Sequence, residues 1–333
     1  MRITVIGAGS FGTAMALVAA RCGNEVLMWA HDPRVAETIR SSGTNLQYLP
    51  NIAVDERIRI TSDIEEAAAF SDTLFMVVPS HHYREVLGQI SPHLRSSVAV
   101  ISGTKGIEND TLERMSQISS AVLGEGLRAF AALSGPTFAL ETARGDPTVA
   151  VVASTDAGWA QQIQRMLSSP TFRLYHSDDV VGVELAGSLK NVIAIAAGVL
   201  EGLGLGSNTT AALITRGLHE ITRLGVAAGG RPETFAGLAG MGDLVLTCTG
   251  SLSRNRSVGV ALGRGKSIDQ ILSETRTVAE GIRTSRSAKE MAEQFGIEMP
   301  ITLEMYRALF EGESPQIALH RLMSRSLKAE STR

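Results

Sequence analysis

The sequence predicts an α/β chain in two parts, a doubly wound sheet followed by an all-helical second half. Three observations carry this. A glycine-rich turn directly follows a β-branched run near the start. Six or more short apolar runs, each ending in a turn, then alternate with helical stretches as far as about residue 178. From Val180 onward β-branched runs become few and helical periodicity takes over.

Ile3, Val5 and Ile6 form a run too short for a helix and suited to a buried parallel strand. Gly7, Gly9 and Gly12 then fall in the pattern G-x-G-x-x-G. In that pattern the first glycine permits a tight turn, the second lets a pyrophosphate approach the backbone, and the third lets the next helix pack on the strand. Ala14 to Ala20 continue as that helix, whose N-terminus offers unpaired N–H groups to phosphates. Gly23-Asn24 ends it, and "EVLMW" (25–29) reads as a second strand. The rival for this segment is a secretory signal. Its apolar core would be diluted by three glycines, and no small-residue cleavage site follows Arg21-Cys22. A nucleotide-binding turn in a cytoplasmic protein is the expectation.

Further along, a helix is expected over 33–41 and a strand over 58–63, with Asp63 capping a helix that carries Glu65 and Glu66 in its first turn. Strands are expected at 73–80, 98–106, from Phe130 into the turn at 134–139, and at 148–154. Ligands of such a sheet bind beyond the strand carboxyl ends, which puts Lys105, Gly135 and Thr137 on that rim. Helices are expected at 180–200, 209–228, 285–295 and 301–310, and the polar tail is expected to fray.

Composition narrows the function. The 333 residues suggest two domains. A formal charge of −3 and a pI near 6.2 give no pull toward nucleic acid or an anionic membrane. No run is expected to reach the ~18 apolar residues that cross a bilayer. Cys22 and Cys248 have no metal-ligand spacing and read as buried reduced thiols; His81-His82 reads as a surface pair, so no metal is expected.

Chemistry concentrates in two stretches. Lys190 lies in "VELAGSLKNVIAIAAG", where desolvation would lower its pKa and free a proton near neutrality. A lysine snorkelling from a core helix is the competing explanation. Asn191 beside it could bond a neighbour or only pack. In "GMGDLVLTCTGSLSRNRSVG", Asp243 follows a Gly-x-Gly turn, and Ser253, Arg254 and Asn255 present a hydroxyl, a guanidinium and an amide in succession. That trio suits a small dianionic phosphate, although an Arg-rich surface loop looks the same. Lys105 could be an ordinary turn lysine, and Glu280 an exposed acid starting a helix.

Taken together, "GAGSFGTA", "SGTKGIE", "LSGPTFA", "LKNVIAIAAG", "GMGDLVLTCT", "SRNR" and "VAEGIRT" resemble the signature blocks of bacterial NAD(P)-dependent glycerol-3-phosphate dehydrogenases, in order and spacing from Ile3 to about Pro300. The resemblance implies a Rossmann-type dinucleotide-binding domain at 1–178 and a helical substrate-binding and catalytic domain at 179–333. It implies hydride transfer between NAD(P)H and dihydroxyacetone phosphate, giving sn-glycerol 3-phosphate for glycerophospholipid synthesis, and a homodimer. By position, Lys190 matches the catalytic lysine. Lys105, Gly135, Thr137, Asp243, Ser253, Arg254 and Asn255 match substrate contacts. Ser10, Phe11, His31, Lys105, Ala139, Arg254, Val278 and Glu280 match cofactor contacts beside the three glycines. Phe11 stands where the family often has Trp or Tyr.

Coenzyme choice has its own logic. An acid at the end of the second strand selects NAD by bonding the ribose 2′-OH. Here Ala30 holds that place, with His31 next and Arg34 nearby, and Asp32 is placed to cap the following helix. NADPH is therefore expected to be accepted and preferred over NADH. Two rivals share parts of the pattern. A β-hydroxyacid dehydrogenase takes carboxylates, against which "SRNR" counts. A non-catalytic NAD(P)-sensing regulator would not need Lys105, Lys190, Asp243 and Arg254 together.

Overall fold

Ile3, Val5 and Ile6 on β1 (Arg2–Ile6) are wholly buried, as a strand flanked on both sides and covered on both faces must be. β1 lies between β2 (Glu25–Trp29) and β4 (Thr73–Met76), parallel to both. The structure, a computed structural model, describes residues 1–274, 279–327 and 329–330. With β3 (Ile58–Thr61), β5 (Val98–Ser102), β6 (Leu127–Ser134), β7 (Thr148–Ala153) and β8 (Phe172–Ser177), the strands form one sheet in the order β3-β2-β1-β4-β5-β6-β7-β8. The chain leaves β1 in one direction for β2 and β3 and in the other for β4, so the crevice for a ligand opens where β1 and β4 part.

The helices of this half are α1 (Ser10–Arg21), α2 (Pro33–Ser42), α3 (Ile64–Phe70), α4 (Tyr83–Ile90), α5 (Met115–Leu123), α6 (Ala139–Arg144) and α7 (Ala157–Leu167). Two buried apolar clusters result, one on each face of the sheet. Ile3, Val5 and α1 belong to the first; Ile6, Leu74, Met76 and Tyr83 belong to the second. Asp63 caps α3 by accepting from the N–H groups of Glu65 and Glu66, as expected.

Several expectations need correction. The strands expected at 58–63, 73–80 and 98–106 end at Thr61, Met76 and Ser102, because the ladder stops at the rim and the chain turns there into loops that face the crevice. The sheet is not parallel throughout: β6 and β7 pair antiparallel, so β7 and β8 run against the rest. β8 itself has no counterpart in the sequence reading. It is an edge strand whose outward Arg173 and Tyr175 interrupt any apolar run.

From Val180 the described residues contain helices alone: α8 (Val180–Gly202), α9 (Ser207–Ala227), α10 (Pro232–Ala236), α11 (Asp243–Thr249), α12 (Arg254–Gly263), α13 (Ile268–Glu274), α14 (Glu280–Phe295), α15 (Pro300–Phe310) and α16 (Pro315–Met323), with a π-helical turn at Leu238–Gly242. α8 is the axis of this half, and of its residues only Val181, Glu201 and Gly202 escape burial. The expectation that no segment is long enough to span a bilayer fails for α8. Its most apolar window has a mean hydropathy of 1.6 despite Glu184 and Lys190, but 94% of that window is buried inside the protein. It serves as a core helix.

α12 runs beside α8 at backbone contact. A Cβ on Gly198 would lie 2.0 Å from the Arg256 carbonyl oxygen, and one on Gly259 would lie 1.9 Å from that of Ile195. Gly202 and Gly263 repeat the contact one turn on. The two helices run in the same sense, so this register carries the start of α12 to Asn191, the residue after Lys190.

Candidate active site

The turn after β1 has the shape a dinucleotide needs. Gly7 takes φ +120°, and a Cβ there would strike Val77 O at 2.6 Å; one on Gly12 would lie 1.9 Å from Gly7 O. Gly9 has nothing within 4 Å, so the space above the turn is open. Gly9 is also the N-cap of α1 and offers no side chain to its first turn, whose N–H groups face that space. The Ser10 hydroxyl is occupied, donating to Tyr48 O at 2.6 Å, so Ser10 can offer phosphate its backbone N–H. Phe11 lies against Gly103, where a Cβ would come within 3.1 Å of the Phe11 ring and 3.2 Å of the Phe75 ring. These features fit a dinucleotide.

At the end of β2, Ala30 is buried and His31 is exposed, its ring edge-on to Trp29 at 5.7 Å. Asp32 caps α2 by accepting from Arg34 N at 2.9 Å, as expected, and also grips the Arg34 guanidinium through both oxygens. Val278 lies outside the described residues.

Across the crevice stands a charge cluster. Lys190 Nζ donates to Asp243 Oδ1 at 2.6 Å and to Thr247 Oγ1 at 2.5 Å. Lys105 Nζ donates to the other oxygen of the same carboxylate at 2.6 Å and to Gly135 O at 3.2 Å. Thr137 Oγ1 donates to that carbonyl as well, at 3.1 Å. Two ammonium groups thus share one carboxylate and leave an excess positive charge. Asp243 is held at the end of the π-helical turn, an irregularity often found at functional sites.

Burial works on the cluster first. It pulls Lys190 down to about 8, helped by Lys105 and opposed by Asp243. Burial opposes ionisation of Asp243, but the two ammonium groups outweigh it and hold its carboxyl below the usual range. Lys190 is 5% exposed, so it does not snorkel to solvent.

The "SRNR" stretch is not a loop. Ser253 is the N-cap of α12, its hydroxyl accepting from Arg256 N at 3.2 Å, and Arg254 opens the helix. The cause is the close α8–α12 contact, which continues the helix through Gly259 and Gly263. Arg254 keeps substantial accessible surface and has no hydrogen bond or salt bridge among the described residues. Desolvation by the cleft walls lowers its pKa, and Glu280 opposes this. Asn255 is buried and doubly engaged: its Nδ2 donates to Asn191 Oδ1, and its Oδ1 accepts from Gly281 N, each at 2.9 Å. Glu280 does begin a helix but is not an exposed acid. It accepts from Ser80 N at 2.9 Å and Ser80 Oγ at 2.6 Å, and burial raises its pKa. Ala139 is the half-buried first residue of α6.

Bonding therefore brings Lys105, Gly135, Thr137, Lys190 and Asp243 into one cluster, while His31 stands apart at the end of β2. Sequence reasoning passed over Thr247 and Ser80. Thr247 had one signal, its place four residues after Asp243 on the same helical face. Ser80 had none, since its partner is 200 residues away. Among the described residues no group of three or more His, Cys, Asp or Glu side chains could hold a metal ion.

A dinucleotide cradle facing a buried lysine and a free arginine on a helical half defines the class of two-part NAD(P)-dependent dehydrogenases. Family models for the N-terminus and C-terminus of NAD-dependent glycerol-3-phosphate dehydrogenase match residues 2–160 and 179–320. The chain is 52% identical to glycerol-3-phosphate dehydrogenase [NAD(P)+] of Geobacter sulfurreducens over 99% of this chain and 98% of that one. It is 52% identical to the protein of that name from Acidobacterium capsulatum, over 97% and 98% of the two chains. The crystal structure of glycerol-3-phosphate dehydrogenase from Coxiella burnetii superposes with a TM-score of 0.93 at 38% identity, covering 97% of this chain and 99% of that one. The chain belongs to the NAD-dependent glycerol-3-phosphate dehydrogenase family.

Proposed function

We propose that this enzyme reduces dihydroxyacetone phosphate to sn-glycerol 3-phosphate, the backbone of glycerophospholipids, with Lys190 as the proton donor. The observation that carries this is the Lys105–Asp243–Lys190 cluster, in which a buried ammonium of pKa about 8 lies among the rim residues of a dinucleotide sheet. A nicotinamide dinucleotide held by the Gly7, Gly9 and Gly12 turn and the first turn of α1 would supply a hydride for the ketone carbon. Negative charge then grows on the carbonyl oxygen, where Lys190 stabilises it and delivers its proton; in the reverse direction the neutral amine takes that proton back. Asp243 keeps the amine aimed. Lys105, tied to Gly135 O and Asp243, adds positive charge for substrate and coenzyme.

Arg254 is free to take the phosphate in a bidentate fork, and the first-turn N–H groups of α12 add donors beside it. Ser253 keeps its own O–H for the same anion, although its oxygen caps the helix. The division of labour at 178/179 follows the end of β8 and the start of α8. His31, with Arg34 nearby, favours NADPH over NADH, because no acid ends β2 to repel a 2′-phosphate. Following NADPH and NADH oxidation on adding dihydroxyacetone phosphate tests this. Turnover with a higher kcat/KM for NADPH is expected, and Lys190→Ala should lose about 100-fold or more in kcat. A Lys190→Ala enzyme within about tenfold of the parent would remove the lysine from proton transfer.

A further inference from the structure

We infer that Asn45, in the loop between α2 and β3, is a positioning residue for the coenzyme: it holds the Ala8–Gly9 peptide so that the Gly9 N–H is presented to the pyrophosphate. Asn45 is 1% exposed. Its Nδ2 donates to Ala8 O at 2.8 Å and to Thr13 Oγ1 at 2.9 Å, and its Oδ1 accepts from Tyr48 N at 3.2 Å. Ser10 makes a second tie to the same loop through Tyr48 O. The loop is thus fastened to the glycine turn and the start of α1 at Ala8, Ser10 and Thr13.

Ala8 lies between Gly7 and Gly9, and its peptide is where the turn is easiest to disturb. In a trans peptide the C=O and the following N–H point in opposite directions. Anchoring the Ala8 carbonyl on Asn45 therefore fixes the Gly9 N–H on the other side. Gly9 has no Cβ to oppose a flip of that peptide, and the space above it is open. After a flip the carbonyl would meet the pyrophosphate in place of the N–H, setting the negative end of a dipole against an anion. The two donor bonds of the Asn45 amide resist this, because releasing the carbonyl would leave a buried donor unpaired. NADPH and NADH share the pyrophosphate, so the strut serves both alike.

Titrating NADPH and NADH with the protein, followed by coenzyme fluorescence, gives both dissociation constants without any substrate. Asn45→Ala should raise the two constants by the same factor, about tenfold, the order of one hydrogen bond to a charged group. With coenzyme saturating, kcat for dihydroxyacetone phosphate should stay within about threefold of the parent. Unchanged constants beside a lowered melting temperature would make Asn45 a packing residue only, and overturn the inference. A loss that falls on kcat at saturating coenzyme overturns it as well. So do unequal factors, which would make Asn45 a reader of the ribose 2′ position. Should Asn45→Ala fail to fold, the near-isosteric Thr13→Val decides. It removes one of the two acceptors that aim the amide, so both constants should rise by about threefold, and unchanged constants overturn the inference. A parent protein that binds both coenzymes but does not turn over dihydroxyacetone phosphate would count against the reaction proposed above and not against Asn45.

Discussion

Lys190 meets two demands that pull its pKa in opposite directions. Burial in α8 favours the neutral amine, and the Asp243 carboxylate favours the ammonium. The balance near 8 leaves the amine protonated at neutral pH yet able to lose its proton without a large barrier. The sign of the pH dependence follows. Reduction needs the ammonium, so its rate should be level below pH 8 and fall about tenfold per unit above it. Oxidation needs the amine and should rise through the same pH. Steady-state profiles in both directions check this, and limbs of the same sign in the two directions would count against Lys190. Asp243→Asn removes the charge that supports the ammonium, so the Lys190 pKa should drop further and the reducing limb should shift to lower pH. The sequence already exposed this residue, since one lysine in a run of Ala, Val, Ile and Gly announces its own desolvation. Thr247 offered only its place four residues after Asp243 on one helical face, and Ser80 was not legible, because a lone hydroxyl in a turn carries no pattern of its own.

Among the elements, those with strong periodicity or a capping signal were readable. β1, the glycine turn, β2 and α2 came from local chemistry, and Asp32 and Asp63 as caps were visible one residue at a time. α12 was not, because "SRNR" is polar and the glycines that follow weaken a helix. Its helicity comes from tertiary contact with α8, where those glycines are required. Gly259→Leu would place a Cβ 1.9 Å from Ile195 O and drive the helices apart. It should cost about 3 kcal/mol or more, and it should lower kcat/KM as Arg254 moves away from Lys190. Gly88→Ala is the contrast. Gly88 lies in α4 with nothing within 4 Å, so alanine there should stabilise by ~0.5–1 kcal/mol through helix propensity. Denaturant unfolding of the two variants compares them directly. A neutral Gly259→Leu would mean that the α8–α12 contact does not set the site.

At the scale of the molecule, acids of the helical half are answered by donors of the sheet half. Asp243 meets Lys105, Glu280 meets Ser80, and Glu184 on α8 meets Arg114 at 2.6 Å together with the N–H and hydroxyl of Ser116 at 2.8 and 2.6 Å. Two of these contacts lie in the site, so the seam that holds the halves together also shapes the crevice. Glu184 is the exception: it has the same construction without a part in the chemistry. Its side chain is 6% exposed and that of Arg114 is 16% exposed, so neither can fall back on solvent if the other is lost. Glu184→Ala should therefore cost about 2–3 kcal/mol, because it leaves a half-buried guanidinium without its carboxylate as well as breaking the bonds to Ser116. Glu184→Gln keeps an acceptor for Ser116 and should cost less. If the seam is a scaffold, Glu184→Ala lowers the melting temperature by several degrees while kcat/KM of the folded fraction stays within about threefold of the parent. A melting temperature unchanged by Glu184→Ala would show that apolar packing alone holds the halves, and a large loss of kcat/KM at unchanged stability would place Glu184 among the residues that shape the crevice.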